Sequence, residues 1–126
     1  MAETRPSVFR ITDQPPPPGV PTPGMDRREI AQRGETWIGW VETAAGFAGG
    51  WHHHGDRDSY IYVISGDLTM EYGSGGHESI TAHAGDVIVN PAQLIHREVT
   101  PGTRVQAIVV RVGPGSLNVN VDGPEG

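Results

Sequence analysis

The sequence predicts an all-β domain of the sandwich or barrel type, and three observations support this prediction. The chain has 126 residues, enough for one hydrophobic core and too few for two. Glycine (18 residues) and proline (11 residues) recur along it, as expected where many tight turns join short strands. No segment of helical length repeats apolar residues with a period of about 3.6 residues. The predicted strands are the runs REIAQR, TWIGWVET, DSYIYVIS, DLTMEY, DVIVN, LIHREV, RVQAIVVRV and LNVNV.

The N-terminal part of the chain differs in composition from the rest. Residues 1–27 are predicted to form a short strand, over Ser7 to Thr12, and a proline-rich arm, and residues 28–126 the β-barrel. The prolines of residues 13–24 lack the N–H that a central strand needs, so polyproline II is the expected conformation. We interpret this segment as a surface arm. A ligand for the aromatic groove of a partner is the alternative, but such ligands usually have flanking basic residues.

Composition excludes several classes of function. The formal charge of −6 argues against a nucleic-acid surface, which needs a basic stripe. All nine basic residues are arginine, so Schiff-base chemistry and a phosphate-loop lysine are excluded. The absence of cysteine removes disulfides, thiolate nucleophiles and sulfur ligands for metals. No apolar leader or long apolar stretch is present, which predicts a cytoplasmic protein that neither enters nor crosses a membrane.

The strand predicted from Asp58 to Ile64 is apolar on both faces. Strand side chains alternate, so Ser59, Ile61 and Val63 share one face and Tyr60, Tyr62 and Ile64 share the other. One face is expected to line the barrel, and the other to pack against a second sheet or a second subunit. The second possibility, together with the N-terminal arm, predicts a homodimer.

Three consecutive histidines begin another predicted strand. On an extended backbone His52 and His54 project to one side and His53 to the other. The first two can therefore bind one metal ion if a third ligand comes from another strand. A solvated loop, or an adventitious metal site, explains the triplet alone equally well.

Two spaced motifs distinguish between these readings. The first consists of Gly46, His52, His54, Ser59 and Gly66, separated by five, one, four and six residues. The second consists of Gly85, Pro91, Gln93, His96 and Thr100, separated by five, one, two and three residues. In these residues the chain resembles the cupin superfamily, specifically its small single-domain bacterial members. The resemblance implies a double-stranded β-helix, or jelly-roll, barrel with a hairpin between the motifs, from Asp67 to Ala84.

The resemblance also implies a metal site. The metal-binding histidines of the family fall on His52, His54 and His96, and its carboxylate ligand falls on Ser59, which is a poor ligand. Asp58 is a possible replacement, but strand alternation directs it away from the cavity. Imidazole suits Fe, Zn, Ni, Mn and Cu alike, so the expected cofactor is one divalent transition metal of unspecified identity. Three neutral ligands do not neutralise the charge of the metal ion, and this charge favours an anionic or chelating small-molecule substrate.

Glu98 is the predicted catalytic residue. It lies two residues after His96 and faces the same cavity if that strand is regular, where it would act as a general base or would orient an imidazole. An outward-facing charge at the strand end is the alternative. The function expected is that of a mononuclear metalloenzyme, either dioxygenase-like or an isomerase, cyclase or lyase using Lewis-acid chemistry. The alternative is a cupin module that binds a metal or small molecule without turnover.

Overall fold

A computed structural model describes residues 5–17, 21–114 and 118–125 of the protein. Over these residues the chain forms strands and two short 3₁₀ turns, at Ile11–Asp13 and Ser74–Gly76. The all-β prediction is therefore confirmed. No helix in the described ranges is long and apolar enough to span a lipid bilayer. The strands are β1 (Met25–Arg33), β2 (Thr36–Thr43), β3 (Phe47–Ala48), β4 (His52–His53), β5 (Asp58–Ser65), β6 (Leu68–Tyr72), β7 (Glu78–Ala82), β8 (Val87–Asn90), β9 (His96–Thr100), β10 (Val105–Val112) and β11 (Val119–Asn120).

These strands form two antiparallel sheets. The first has the order β1-β2-β10-β5-β8. The second has the order β11-β4-β9-β6-β7, with β3 pairing with β9. The expected hairpin between the two motifs is β6–β7, which closes through the Ser74–Gly76 turn. Several connections cross from one sheet to the other, as those between β4 and β5, β8 and β9, and β9 and β10 do, which is how a double-sheet jelly roll is built.

The hydrophobic core lies between the two sheets. Its most deeply buried side chains, Val63 and Met70, come from facing strands, β5 and β6, and have no exposed surface. Each of these strands alternates buried with more exposed residues, so one face of each sheet supplies the core. The buried apolar set is Trp37, Ile61, Val63, Leu68, Met70, Ala82, Ile88, Val105, Ala107 and Val109. Its burial is the main stabilising contribution, at roughly 25 cal/mol per Å² of apolar surface removed from water.

Two turns require an unusual backbone. Gly66, between β5 and β6, has a φ of +83°, and a Cβ there would lie 2.1 Å from the carbonyl oxygen of Arg104. Gln93 has a φ of +68° although it is not glycine. Its backbone N–H donates to the carbonyl of Gly55 and its side-chain amide donates to Asp56, which offsets the cost of that conformation. Gln93 thus adopts a left-handed conformation that glycine adopts more readily.

The outer face of the first sheet is apolar and exposed. Five large apolar residues of β5 and β8 are each between 40% and 59% exposed there: Tyr60, Tyr62, Ile64, Val87 and Val89. No described element of the chain covers this face, so the expectation that it packs against a second sheet is wrong. The alternative, a second subunit, stays a prediction.

The predicted N-terminal strand over Ser7 to Thr12 is wrong. Residues 6–10 form no strand, and Ile11–Asp13 forms a 3₁₀ turn instead. The residues are exposed or nearly so, and within the described ranges they do not join either sheet. The segment is attached to β1 by the N–H of Glu29, which donates to the carbonyl of Pro15. Residues 18–20 of the proline-rich segment lie outside the described residues.

Candidate metal centre

Three histidines converge in the barrel. His52 lies on β4, His54 directly follows that strand, and His96 begins β9. Each offers one ring nitrogen, and these three atoms lie within 4.8 Å of one another. The sequence prediction that these three residues come together is therefore met by their geometry.

Strand pairing explains why they meet. His52 lies directly opposite His96 in the antiparallel register of β4 and β9, and their ring centroids are 4.4 Å apart. Alternation places His54 on the same side as His52, with its ring centroid 5.0 Å from that of His52 and 5.2 Å from that of His96. His53 is not part of this cluster, and its Nδ1 accepts a hydrogen bond from the backbone N–H of Gly55.

Backbone carbonyls fix the tautomer of two of these rings. The Nδ1–H of His52 donates to the carbonyl of Gly50 at 2.8 Å, and the Nδ1–H of His96 donates to that of Leu94 at 2.9 Å. The neutral ring then presents its Nε2 lone pair to the cavity, which is the state that binds a metal ion. The Nε2 of His96 is buried and has no hydrogen-bond partner among the described residues. A divalent transition metal ion fits this donor set, because it binds imidazole lone pairs. Buried polar atoms usually have a partner, and such an ion would be the partner of Nε2 of His96.

Glu98 completes the cluster. One carboxylate oxygen lies 3.4 Å from Nε2 of His96, and the other lies 3.7 Å from Nε2 of His52. The strand is regular here, so Glu98 faces the same side as His96, as alternation predicted. Arg97, between them, points outward, where it forms a salt bridge with Glu71 and stacks over Trp51. The alternative of an outward-facing Glu98 is wrong.

The charges of this cluster are coupled. Burial lowers the pKa of His52, and the neighbouring charges of His96 and Arg111 also lower it, against the opposing effect of Glu98. Burial also acts to lower the pKa of His96, but the contact with Glu98 and its negative charge outweigh burial and raise it. For Glu98, burial acts to raise the pKa, whereas its contact with His96 and the charges of the histidines lower it to about 2. Glu98 is therefore a carboxylate at neutral pH.

The position of the family's carboxylate ligand is occupied by Ser59. Its side chain is 2% exposed and faces the cavity, and its hydroxyl has no partner in the described part of the chain. Asp58 is exposed, and its carboxylate accepts a hydrogen bond from the backbone N–H of Ala92 at 2.8 Å. The possibility that Asp58 supplies a fourth ligand is therefore wrong. The carboxylate nearest to the histidines is Glu98, which comes from β9 and not from β5.

The cluster opens into a cavity of about 350 Å³. This volume is within the range of small-molecule sites. Its apolar wall consists of core residues, among them Ile61, Ala107 and Val109. Sequence reasoning missed two charged residues that also line it, Arg27 and Arg111. A signal for Arg111 was present, since it continues the inward alternation of β10 after Val105, Ala107 and Val109.

Comparison with known proteins assigns the family. The family model of the cupin domain matches residues 39–113, more than half of the chain, and this range contains all three histidines and Glu98. The chain belongs to the cupin family. No curated protein sequence matches this cupin significantly.

Solved structures share its fold at low sequence identity. KdgF from Halomonas sp. is 22% identical, with a TM-score of 0.72 over 87% of this cupin and 96% of that chain. A variant of the oxalate decarboxylase OxdC from Bacillus subtilis is 21% identical, with a TM-score of 0.73 over 89% of this cupin and 31% of that chain. The DMSP lyase DddQ from Ruegeria pomeroyi is 19% identical, with a TM-score of 0.67 over 81% of this cupin and 53% of that chain. These similarities show the jelly-roll barrel.

Proposed function

We propose that this cupin binds one divalent transition metal ion through His52, His54 and His96 and acts as a metalloenzyme on a small organic substrate. The main support is the convergence of three imidazoles, two of them held by backbone carbonyls with Nε2 facing the cavity. The metal would be Fe, Zn, Ni, Mn or Cu, since neutral imidazole suits each of them.

Glu98 is the proposed catalytic residue. When bound, the ion supplies Lewis-acid chemistry or, if it is iron, oxygen-dependent chemistry. The carboxylate of Glu98 lies beside the site and is ionised, so it is able to accept a proton from a substrate held in the cavity. The cavity of about 350 Å³ has room for a small organic substrate, and part of its wall is apolar.

Two classes of reaction remain within this proposal. One is oxygenation by a dioxygenase-like enzyme, and the other is an isomerisation, cyclisation or elimination. Two of the structures that share the fold are those of an oxalate decarboxylase and a DMSP lyase, both of which cleave bonds. For this reason the proposal includes bond cleavage as well as oxygenation.

A binding module without turnover is the second candidate. The observation that favours it is the distance of 3.4–3.7 Å between the Glu98 oxygens and two Nε2 atoms, which would also allow Glu98 to close the coordination sphere. Replacing Glu98 with Gln separates the candidates. A catalytic Glu98 leaves the metal bound, whereas a fourth ligand gives a loss of metal as large as that caused by removing a histidine.

The first test is elemental analysis of protein purified without a histidine tag or a chelator. We expect about one equivalent of a single transition metal. His54→Ala is expected to lose it, whereas His53→Ala, which changes the next residue on the opposite side of the strand, retains it. Equal metal contents in the two variants would contradict the site.

We also propose that the exposed apolar face of β5 and β8 pairs with a second copy of the chain. Five large apolar side chains of two adjacent strands lie together there, and β8 is the last strand of its sheet. A patch of this kind is typical of a subunit interface. Sedimentation at micromolar concentration should give a dimer, and Tyr62→Glu, which places a charge in the patch, should give a monomer. A monomeric wild type would contradict the pairing.

A further inference from the structure

The inward-facing row of β10 ends in a positive charge. Ala107 and Val109 are buried core residues, and Arg111 continues the same alternation. Its side chain therefore enters the barrel and lines the same cavity as His52 and Glu98.

The guanidinium of Arg111 has no hydrogen-bond or salt-bridge partner among the described residues. Its Nε is buried without an acceptor, and the group lies over the ring of Trp37. By contrast, Arg28, Arg97 and Arg104 each form a salt bridge. A guanidinium removed from water is costly unless an anion or an acceptor satisfies it. Consistent with this, burial lowers the pKa of Arg111 to about 10; the charge of Glu98 opposes this effect, and the charges of Arg27 and Arg57 add to it.

The surrounding residues hold this guanidinium in place. It lies 4.9 Å from the centroid of the Trp37 ring, on the adjacent strand β2. The Nε1–H of Trp37 donates to the carboxylate of Glu29 at 2.7 Å, which fixes the ring. The ring extends over Gly39, where a Cβ would lie 2.2 Å from it. The support of Arg111 thus depends on a sequence of contacts across β1, β2 and β10, as in a preorganised binding site.

The charges lining the cavity favour an anion. Arg27 is the second guanidinium in its wall, and one of its terminal nitrogens donates a hydrogen bond to the sulfur of Met25, a weak acceptor. Arg57, which is buried nearby, adds a third positive charge. Glu98 is the only carboxylate among the described residues that line the cavity, and it contacts His52 and His96. A divalent metal ion would increase this positive excess further.

We infer that Arg111, assisted by Arg27, is the subsite for the carboxylate of a small organic acid. The planar fork of a guanidinium matches a carboxylate, and the pair forms charge-assisted hydrogen bonds. The apolar wall beside it, including Ala107, Val109 and Ile61, accommodates the hydrocarbon part of the same molecule. An inorganic anion would leave that wall without a contact.

This inference deepens the proposed function and rests on it in one respect: the bound acid is a substrate only if the protein is the proposed metalloenzyme. Anion binding by Arg111 does not itself require the metal. The subsite can therefore be tested in the metal-free protein, and metal content is measured separately. Loss of the metal site and loss of the carboxylate subsite then give different results.

The test compares butyrate with butyramide, its uncharged counterpart of equal size, by calorimetric titration of the metal-free protein. We expect butyrate to bind at least about tenfold more tightly than butyramide, and about tenfold more tightly than acetate, because two further methylenes are buried. Arg111→Met should remove the preference for butyrate over butyramide, and Arg27→Met should reduce it. Arg104→Met, at an exposed arginine that pairs with Glu42, is the matched control and should leave it unchanged.

Three results would overturn the inference. They are equal affinities for butyrate and butyramide in the wild type, an undiminished preference in Arg111→Met, and phosphate binding as tightly as butyrate. If circular dichroism shows that Arg111→Met does not fold, Arg111→Lys provides the test. It keeps the charge without the planar fork, and we expect butyrate affinity to fall severalfold. An unchanged affinity in a folded Arg111→Lys would contradict the fork as the binding element.

Discussion

Histidine–carboxylate contacts occur in two opposite settings within the described part of the chain. His83 and Asp67 meet at the ends of the β6–β7 hairpin, with Nδ1 2.6 Å from Oδ1 and side chains 67% and 53% exposed. His96 and Glu98 meet inside the barrel at 3.4 Å, and the His96 side chain is only 1% exposed. The outer pair is the closer of the two. The inner pair, however, has His52 and His54 within reach as well.

This difference shows that a metal site depends on several ligand atoms converging on one point more than on the shortness of one histidine–carboxylate contact. The carboxylate of Asp67 raises the pKa of His83 through a hydrogen bond and its charge, and the charge of Asp86 adds to this effect. These exposed groups nevertheless do not form a cluster of three converging ligand atoms among the described residues. An exposed ion pair also contributes little to stability, because water and salt screen it. The inner pair combines an unsatisfied Nε2, a neighbouring carboxylate and two more imidazoles. Only the second setting has the donor set of a metal site.

The largest expected effect is on metal affinity. His96→Ala should weaken binding of Zn²⁺ by at least about 100-fold, more than the 10–100-fold typical of residues that only support a ligand. His83→Ala is the matched control in the outer pair and should leave affinity unchanged. Competition titration with a chromophoric chelator at pH 8 measures both. Equal losses in the two variants would remove the distinction between the pairs.

A smaller effect is expected when the carboxylates are neutralised. Glu98→Gln should weaken Zn²⁺ binding about tenfold, because it removes a negative charge beside the ion without removing a ligand. Asp67→Asn should have no effect on the metal. The same competition titration applies, and a tighter Glu98→Gln site would contradict the favourable charge assigned to Glu98.

The titration of the histidines tests the comparison without mutation. In the metal-free protein, NMR should give pKa values above 6.5 for both His83 and His96, since each faces a carboxylate, and a value below 6.5 for the buried His52. Metal must displace a proton from His96 at low pH, so affinity should fall as the pH decreases through its pKa. Adding Zn²⁺ should abolish the titration of His52 and His96 and leave that of His83 intact. Loss of the His83 titration would place metal at the hairpin.

The smallest effect concerns the stability of the outer pair. Asp67→Asn should leave the thermal midpoint of unfolding unchanged, because both side chains of the pair are largely exposed. It should nevertheless lower the pKa of His83 towards its ordinary value. A clear fall in the midpoint, measured by differential scanning calorimetry, would show that the hairpin contact is structural.

The metal cluster could be predicted from sequence because local patterns and the family resemblance act together. Alternation places His52 and His54 on one side of a strand and aligns His96 with Glu98. That the two segments meet was implied only by the resemblance of their motifs to those of cupins. The barrel strands β2 and β5 were predicted with the bounds that the structure gives.

Other features depend on relations that the sequence does not show. The support of Arg111 by Trp37 follows from the register between β2 and β10, which no local pattern specifies. The error at Ser7 to Thr12 has the same origin, since a β-prone segment forms a strand only where a neighbour is available to pair. Gln93 adopts its left-handed backbone because Gly55 and Asp56, far away in sequence, satisfy it.

The most direct test of the metal site is a crystal structure of the metal-loaded protein with anomalous scattering recorded at the absorption edge of the metal. We expect one strong peak inside the barrel, about 2.0–2.2 Å from Nε2 of His52, Nε2 of His96 and one ring nitrogen of His54. Anomalous signal only at surface histidines such as His83, with none between these three rings, would contradict the account.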